Sequence, residues 1–253
     1  MPGRSARLPL ARRAVDAVEL MDGPDCDPEA LRRTYARFPW VNRGLAGWGR
    51  IYADLLRPAL PRDGTATLLD IGCGGGDVAL DLARRAARDG IRLRIVGIDP
   101  DERARSFAVA AARRAGVGPE RVEFRAATSA DLVAEGLAFD AVVSNHVLHH
   151  LDGAALAGLL ADTERLARGI AVHNDIRRSP AAWLLFSVAA LPLAPGSFIL
   201  HDGLVSIRRS YTTAEIAAEA PDGWAARRRR PFRNLLVWRA GHPGAPRTPR
   251  GPA

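Results

Sequence analysis

Three histidines crowd the run FDAVVSNHVLHHL, at His146, His149 and His150. Imidazole is the side chain whose ordinary pKa lies nearest neutrality, so such a cluster suits taking up or giving a proton during catalysis. In a helix, His146 and His150 would share a face, while the adjacent His149 and His150 would point about 100° apart. Asp175 stands at the end of the next apolar run. A carboxylate beside an imidazole fixes its tautomer and stabilises its cationic form. Two histidines at i and i+4 also suit zinc, but no Glu or Cys in that stretch completes a ligand set, so no metal is expected. Upstream, TLLDIGCGGGDVAL breaks from an apolar run into Gly72, Gly74, Gly75 and Gly76. Glycines at such a turn let the backbone approach a ligand that a Cβ would keep away, which suits a nucleotide-like cofactor. Asp99, closing the following apolar run, is placed to take both ribose hydroxyls of an adenosine.

A sheet is needed to bring these residues together. Apolar runs at 67–71, 92–98, 122–126, 140–144 and 169–173 alternate with helical patterns at about 76–89, 101–115 and up to 168. Such alternation predicts a parallel sheet with helices on both faces. Two further strands, around 224–232 and 234–239, bring the total to seven. Ligands of doubly wound sheets lie beyond the carboxyl ends of the strands, so Gly72, Asp99, residues 127–129 and Asn145 should converge on one crevice. Neighbouring strands lie less than about 5 Å apart, close enough for Asp175 to meet an imidazole from the preceding strand end. Ahead of the sheet, apolar and aromatic residues recur at helical spacing over residues 28–56, interrupted by Pro39. Thr212, with Glu215 three positions later, predicts a helix start. The run Arg227 to Arg230 alternates faces if it is a strand, which places it at a solvated edge.

The chain has 253 residues and a formal charge of +8. Clustered basic residues would suggest nucleic acid, but all 36 are arginine, spread over the whole chain, which argues against that partner. The two cysteines, Cys26 and Cys73, are too few for a disulfide framework and fit a reducing, cytoplasmic setting. The first 20 residues carry arginines without the apolar core of a secretory signal. The apolar run at 181–194 is short and contains Pro192, so no membrane span is expected. The expected organisation is a flexible lead-in over 1–27, one domain over 28–240, and a disordered tail over 241–253.

The pattern Asp70-x-Gly72-x-Gly74-x-Gly76 resembles the first motif of class I S-adenosylmethionine (SAM) methyltransferases. A dinucleotide fingerprint would place its third glycine where Asp77 stands. From Thr67 to Asp175 the likeness is to the ubiquinone/menaquinone-type branch, including bacterial O-methyltransferases of secondary metabolism. It implies a doubly wound, mostly parallel seven-stranded Rossmann-like α/β sheet, with N-terminal helices and a lid inserted between strands five and six, over residues 180–191. It also implies SAM as cofactor, bound around Asp70, Gly72, Gly74, Gly76, Asp99 and Asn145. The segment TYARFPWVNRGLAGWGR looks like the leading helices that fold over the cofactor in that branch, which puts Tyr35 beside SAM. By the same likeness His149, His150 and Asp175 carry the base work on a small-molecule acceptor, a hydroxyl of a largely apolar phenol or quinol such as a polyketide ring. Methylation at carbon of an activated ring is the nearest alternative. Ser144-Asn145-His146-Val147, in place of an Asn/Asp-Pro-Pro-aromatic run, argues against an RNA base as acceptor. One departure concerns the third strand end, where Ala127-Thr128-Ser129 replaces the usual Gly-Asp-Ala. A hydroxyl of Thr128 or Ser129 would then receive the adenine amino group, at about 1 kcal/mol against roughly 1.5 to 3 for a carboxylate.

Overall fold

Leu68 and Leu69 face opposite layers of the core, and the same alternation in the other central strands covers the sheet on both sides. The computed structural model describes residues 10–241. Their elements begin with α1 (Pro28–Val41), α2 (Trp48–Ile51), β1 (Ala66–Ile71), α3 (Asp77–Arg88), β2 (Leu93–Asp99), α4 (Glu102–Arg114) and β3 (Val122–Ala126). There follow α5 (Ser129–Ala134), β4 (Phe139–Asn145), α6 (Gly153–Leu166), β5 (Ala167–Ile176), α7 (Pro180–Ala189) and α8 (Ile199–Arg209). The last elements are α9 (Thr213–Glu219), β6 (Trp224–Arg229) and β7 (Arg233–Arg239).

The strands form one sheet in the order β3-β2-β1-β4-β5-β7-β6. All pairs from β3 to β5 are parallel, while β7 runs antiparallel to both β5 and β6. The chain starts at the centre and winds outwards twice, so the order reverses between β1 and β4. A crevice opens beyond their carboxyl ends because the following connections leave in opposite directions. Register places Ile71 against Ser144 and Asn145 against Asn174, which sets the glycine loop, the histidine run and Asp175 side by side.

The local signals explain the helix starts. Asp27 accepts from the Glu29 amide ahead of Pro28, and Ser179 accepts from the Ala182 amide ahead of Pro180. Thr212 and Glu215 form the expected reciprocal capping box. β6 is an edge strand as expected: Arg227, Arg228 and Arg230 are exposed, and Arg229 pairs with Asp54 at 2.7 Å. Among the described residues no helix is long and apolar enough to cross a membrane.

Two expectations are corrected. Of the lead-in, residues 1–9 lie outside the described residues, as does the tail from 242, but residues 10–27 are packed rather than flexible. The Ala14 amide donates to the Arg208 carbonyl, the Arg13 guanidinium lies 3.6 Å over the Tyr211 ring, and the Leu20 and Met21 amides both donate to the Asp202 carboxylate. Asp202 is 3% exposed on α8, and a carboxylate so buried requires donors, which the strap supplies. The histidine run is not an α-helix either. His146 has φ 63° and residues 148–150 form a single 3-10 turn, so α-helical spacing does not govern where the three imidazoles point.

Candidate active site

At the glycine loop Gly72, Gly74 and Gly76 have φ of 66°, 50° and 78°. A Cβ at Gly72 would lie 2.4 Å from the Val147 side chain, and one at Gly76 2.6 Å from the Phe124 ring. These two glycines are demanded by the protein's own packing. At Gly74 the nearest atom is the Tyr35 ring at 3.9 Å, so there the missing Cβ leaves room on the cavity side.

The Gly74 amide donates to Asp99 Oδ2 and the Asp101 amide to Oδ1, both at 3.0 Å. Burial nevertheless raises the Asp99 pKa above the usual carboxylate value. Asp70 is 1% exposed and neither carboxyl oxygen has a partner. Burial, with Asp77 and Asp99 nearby, drives its pKa well above the usual aspartate value. An orphaned buried carboxyl is costly, and a cationic donor in the adjoining cavity would relieve it. Burial pushes Asp77 up to about 6 although it accepts from Asn42 Nδ2 at 2.9 Å. Tyr35, 5% exposed, packs its ring 5.3 Å from that of Phe107.

One cavity of about 560 Å³ runs from Asp70, Gly74 and Asp99 to His146, His149 and His150. Leu185 and Phe186 of α7 line it on one side. The polar wall at its far end is built from remote segments. His149 Nδ1 donates to Asp175 Oδ1 at 2.8 Å, and Nε2 faces Glu19 Oε1 at 3.2 Å. The His149 amide donates to Asp175 Oδ2 at 2.8 Å, which locks the pair. Burial opposes charge on this imidazole, but the Asp175 and Glu19 carboxylates outweigh it and push His149 up to about 9. Burial also works against Glu19, yet His149, His150 and the Ser206 hydroxyl hold it down at about 2. The His150 ring lies 4.2 Å from that of His149, and burial with its charged neighbour lowers it to about 4. His146 Nε2 accepts from the buried Arg233 Nη1 at 3.1 Å; burial and that guanidinium keep it neutral. The wall therefore offers one imidazolium hydrogen-bonded to two carboxylates and two neutral imidazoles.

Residues 68–169 match the family described as "Methyltransferase domain". The ubiquinone biosynthesis O-methyltransferase of Methylobacterium sp. (strain 4-46) is 30% identical over 161 residues, 64% of this chain and 50% of that one. The enzyme of that name from Cereibacter sphaeroides (strain ATCC 17025 / ATH 2.4.3) is 35% identical over 138 residues, 54% of this chain and 51% of that one. The chain thus spans about half the length of these curated relatives. The solved plantazolicin methyltransferase BpumL, in complex with SAH, superposes with TM-score 0.56 at 11% identity, over 84% of this chain and 95% of that one. Over residues 68–169 the chain thus carries a methyltransferase domain.

The fold brings together most of the residues singled out from the sequence. Asp70, Gly72, Gly74, Asp99, Asn145, Tyr35, His149 and His150 line the one cavity, with Asp175 directly behind His149. Gly76 sits behind the loop, against Phe124. Thr128 and Ser129 do not join them, and the expected hydroxyl contact to adenine is corrected. Thr128 caps α5 through Asp131, and the Ser129 hydroxyl donates to Asp162 at 2.8 Å. A residue at a helix N-cap satisfies the helix's own free amides first, so its hydroxyl turns away from the crevice. In the expected lid segment Leu184 is 62% exposed and does not line the cavity, whereas its neighbour Leu185 does. The adjacent His149 and His150, expected to diverge, lie with ring centres 4.2 Å apart and planes tilted by 36°, because the 3-10 turn carries both towards Glu19. Asp77 adjoins the loop and was legible only as a departure from a dinucleotide motif. Glu19, Asp202 and Arg233 carry no signal in the sequence, since each acts through a partner far along the chain.

Proposed function

We propose that this methyltransferase transfers the SAM methyl group to a hydroxyl of a small, largely apolar metabolite, a phenol or quinol such as a polyketide ring. The observation that carries the reading is the single cavity joining an orphaned carboxyl and an open glycine loop to a histidine–carboxylate wall, with an apolar helix beside it. The names of the curated relatives point to the same acceptor atom.

At the cofactor end, Asp99 would take the ribose hydroxyls, Gly74 would let the backbone close in, and Asp70 would meet the cationic amino group of the methionine portion. Asn145 and Tyr35 would flank it. At the acceptor end, a phenol of ordinary pKa near 10 must lose its proton as the oxygen attacks. Proton transfer to a neutral imidazole at about 4, such as His150, is uphill by roughly 8 kcal/mol, so His150 is a poor base. His149, held cationic by Asp175 and Glu19, would stabilise the developing phenolate through its charge rather than act as the free base expected from its type. Methyl transfer breaks the S–CH₃ bond and forms O–CH₃, with the sulfur keeping the electron pair and the hydroxyl proton passing to water. Alignment along that axis supplies much of the acceleration.

The test combines calorimetry of SAM binding with radiolabelled methyl transfer to a panel of phenols and quinols. Asp99→Ala should weaken SAM by at least about tenfold while the fold is kept, since it removes hydrogen bonds to a charged acceptor. Unchanged SAM affinity in that variant, or label transferred to carbon or to nucleic acid instead of a hydroxyl, would overturn the reading.

A further inference from the structure

We propose that Glu19, His149 and His150 form a binding site for a divalent transition-metal ion of the zinc class, open to the acceptor cavity. One donor atom from each lies within 4.8 Å of the others. His149 Nε2 is 3.2 Å from Glu19 Oε1, and His150 Nε2 is 4.0 Å from the same oxygen. Zinc bonds to imidazole nitrogen and carboxylate oxygen of about 2.0–2.2 Å put neighbouring ligand atoms roughly 3.0–3.5 Å apart. The first distance already fits. The second closes by about half an ångström of movement in His150, whose side chain is 30% exposed and free to shift.

The surroundings are those that a metal site needs. His149 donates Nδ1–H to Asp175, the carboxylate–histidine arrangement that orients the ring, and the ion would displace the Nε2 proton that otherwise faces Glu19. Glu19 is itself oriented, by the Ser206 hydroxyl at 2.8 Å. Glu19 and His149 are 4% and 2% exposed, so both are held in one direction at a cost that an ion between them would offset. Two imidazoles and one carboxylate favour zinc, iron(II) or cobalt(II) over magnesium or calcium. The neighbouring set of His146, His149 and Asp175 is a poorer candidate, because Arg233 donates to His146 Nε2 and would repel a cation there.

The ion's use, though not its binding, rests on the O-methylation proposed above. An acceptor hydroxyl on an open coordination position would be acidified. Its proton passes to water, the oxygen forms the new C–O bond, and the S–CH₃ electron pair stays on sulfur as the neutral thioether.

The experiment uses the full chain, stripped with EDTA and titrated with Co²⁺ near neutral pH. One equivalent should bind with the visible d–d absorption of imidazole and carboxylate ligation, and Zn²⁺ should displace it. Glu19→Gln and His150→Ala should each weaken Co²⁺ by at least about tenfold, and Asp175→Asn by about 10- to 100-fold, all with wild-type SAM affinity. Should Glu19→Gln fail to fold, His150→Ala decides, since its side chain is partly exposed. No saturable Co²⁺ signal in the wild type, or equal signals in Glu19→Gln and His150→Ala, would overturn the site while intact SAM binding left the cofactor reading standing. Normal Co²⁺ binding by a protein that ignores SAM would support the site and sink the cofactor reading alone.

Discussion

Asp77 is one of the residues beside the cofactor end of the cavity whose ionisation the fold resists. Its carboxyl rises from 3.8 to about 6 because burial outweighs the Asn42 hydrogen bond. The folded chain holds that proton more tightly than the unfolded chain does. The effect therefore favours folding below the unfolded value and is lost as pH rises through about 6. Ionising it by neutral pH costs the cofactor-free protein at most about 3 kcal/mol. Asp77→Asn keeps the size and cannot ionise. Urea titrations should show its stability advantage over wild type growing between about pH 4 and pH 6 and levelling above, and a constant gap would mean that Asp77 is solvated. Asp70 lies in the same direction, and its orphaned oxygens make it the residue most altered by a bound cation.

At the scale of elements, α7 and the strap over residues 13–22 enclose the acceptor end from two sides. α7 is apolar nearly all round, with Leu184, Leu185 and Val188 about 60% exposed. Its role follows from which residues face inwards. Replacing Leu185 and Phe186 by serine should raise the acceptor KM severalfold with SAM affinity within a factor of about two, because both line the acceptor end of the cavity and lose apolar surface that a bound acceptor would cover. Leu184→Ser, on the outer face, should leave both unchanged. Equal losses of KM and SAM affinity, with a lowered melting temperature, would make α7 plain core. The strap shows why position in the chain is a poor guide to order. Its Val15, Val18 and Leu20 side chains are exposed, yet Asp202 and the carbonyls of Leu151 and Arg209 accept from it.

The described chain is a sheet with an apolar layer on each face, and at the carboxyl ends of its strands the buried Asp70 carboxyl remains without a partner. Binding there should stabilise the entire domain, because cofactor that meets only the folded chain adds RT ln(1 + [L]/Kd), about 2.7 kcal/mol at a hundredfold excess over Kd. For a domain of this size that is roughly 5 to 11 °C in Tm. A thermal melt with saturating SAM should show the shift, and Asp99→Ala at the same concentration should show little of it. A shift equal in both proteins would place SAM elsewhere.

The sequence by itself determined the sheet, the loop and the cofactor end, and the physical reason is that each is encoded locally. Strands of period two, glycines at positive φ, capping boxes at Thr212 and an acidic strand end at Asp99 need no distant partner to be recognised. Only the tertiary structure decided the acceptor end. Thr128 and Ser129 are neighbours of the crevice in sequence but serve α5 and Asp162. The stretch around His146 lacks a third metal ligand in its own run, and Glu19, the one the proposed site needs, comes from a segment that crosses α8 and meets His149 from 130 positions away. Contacts between residues so far apart are fixed by how the layers close on one another, by Asp202 seeking donors and Asp175 seeking a cation, and no local pattern of residue types records them.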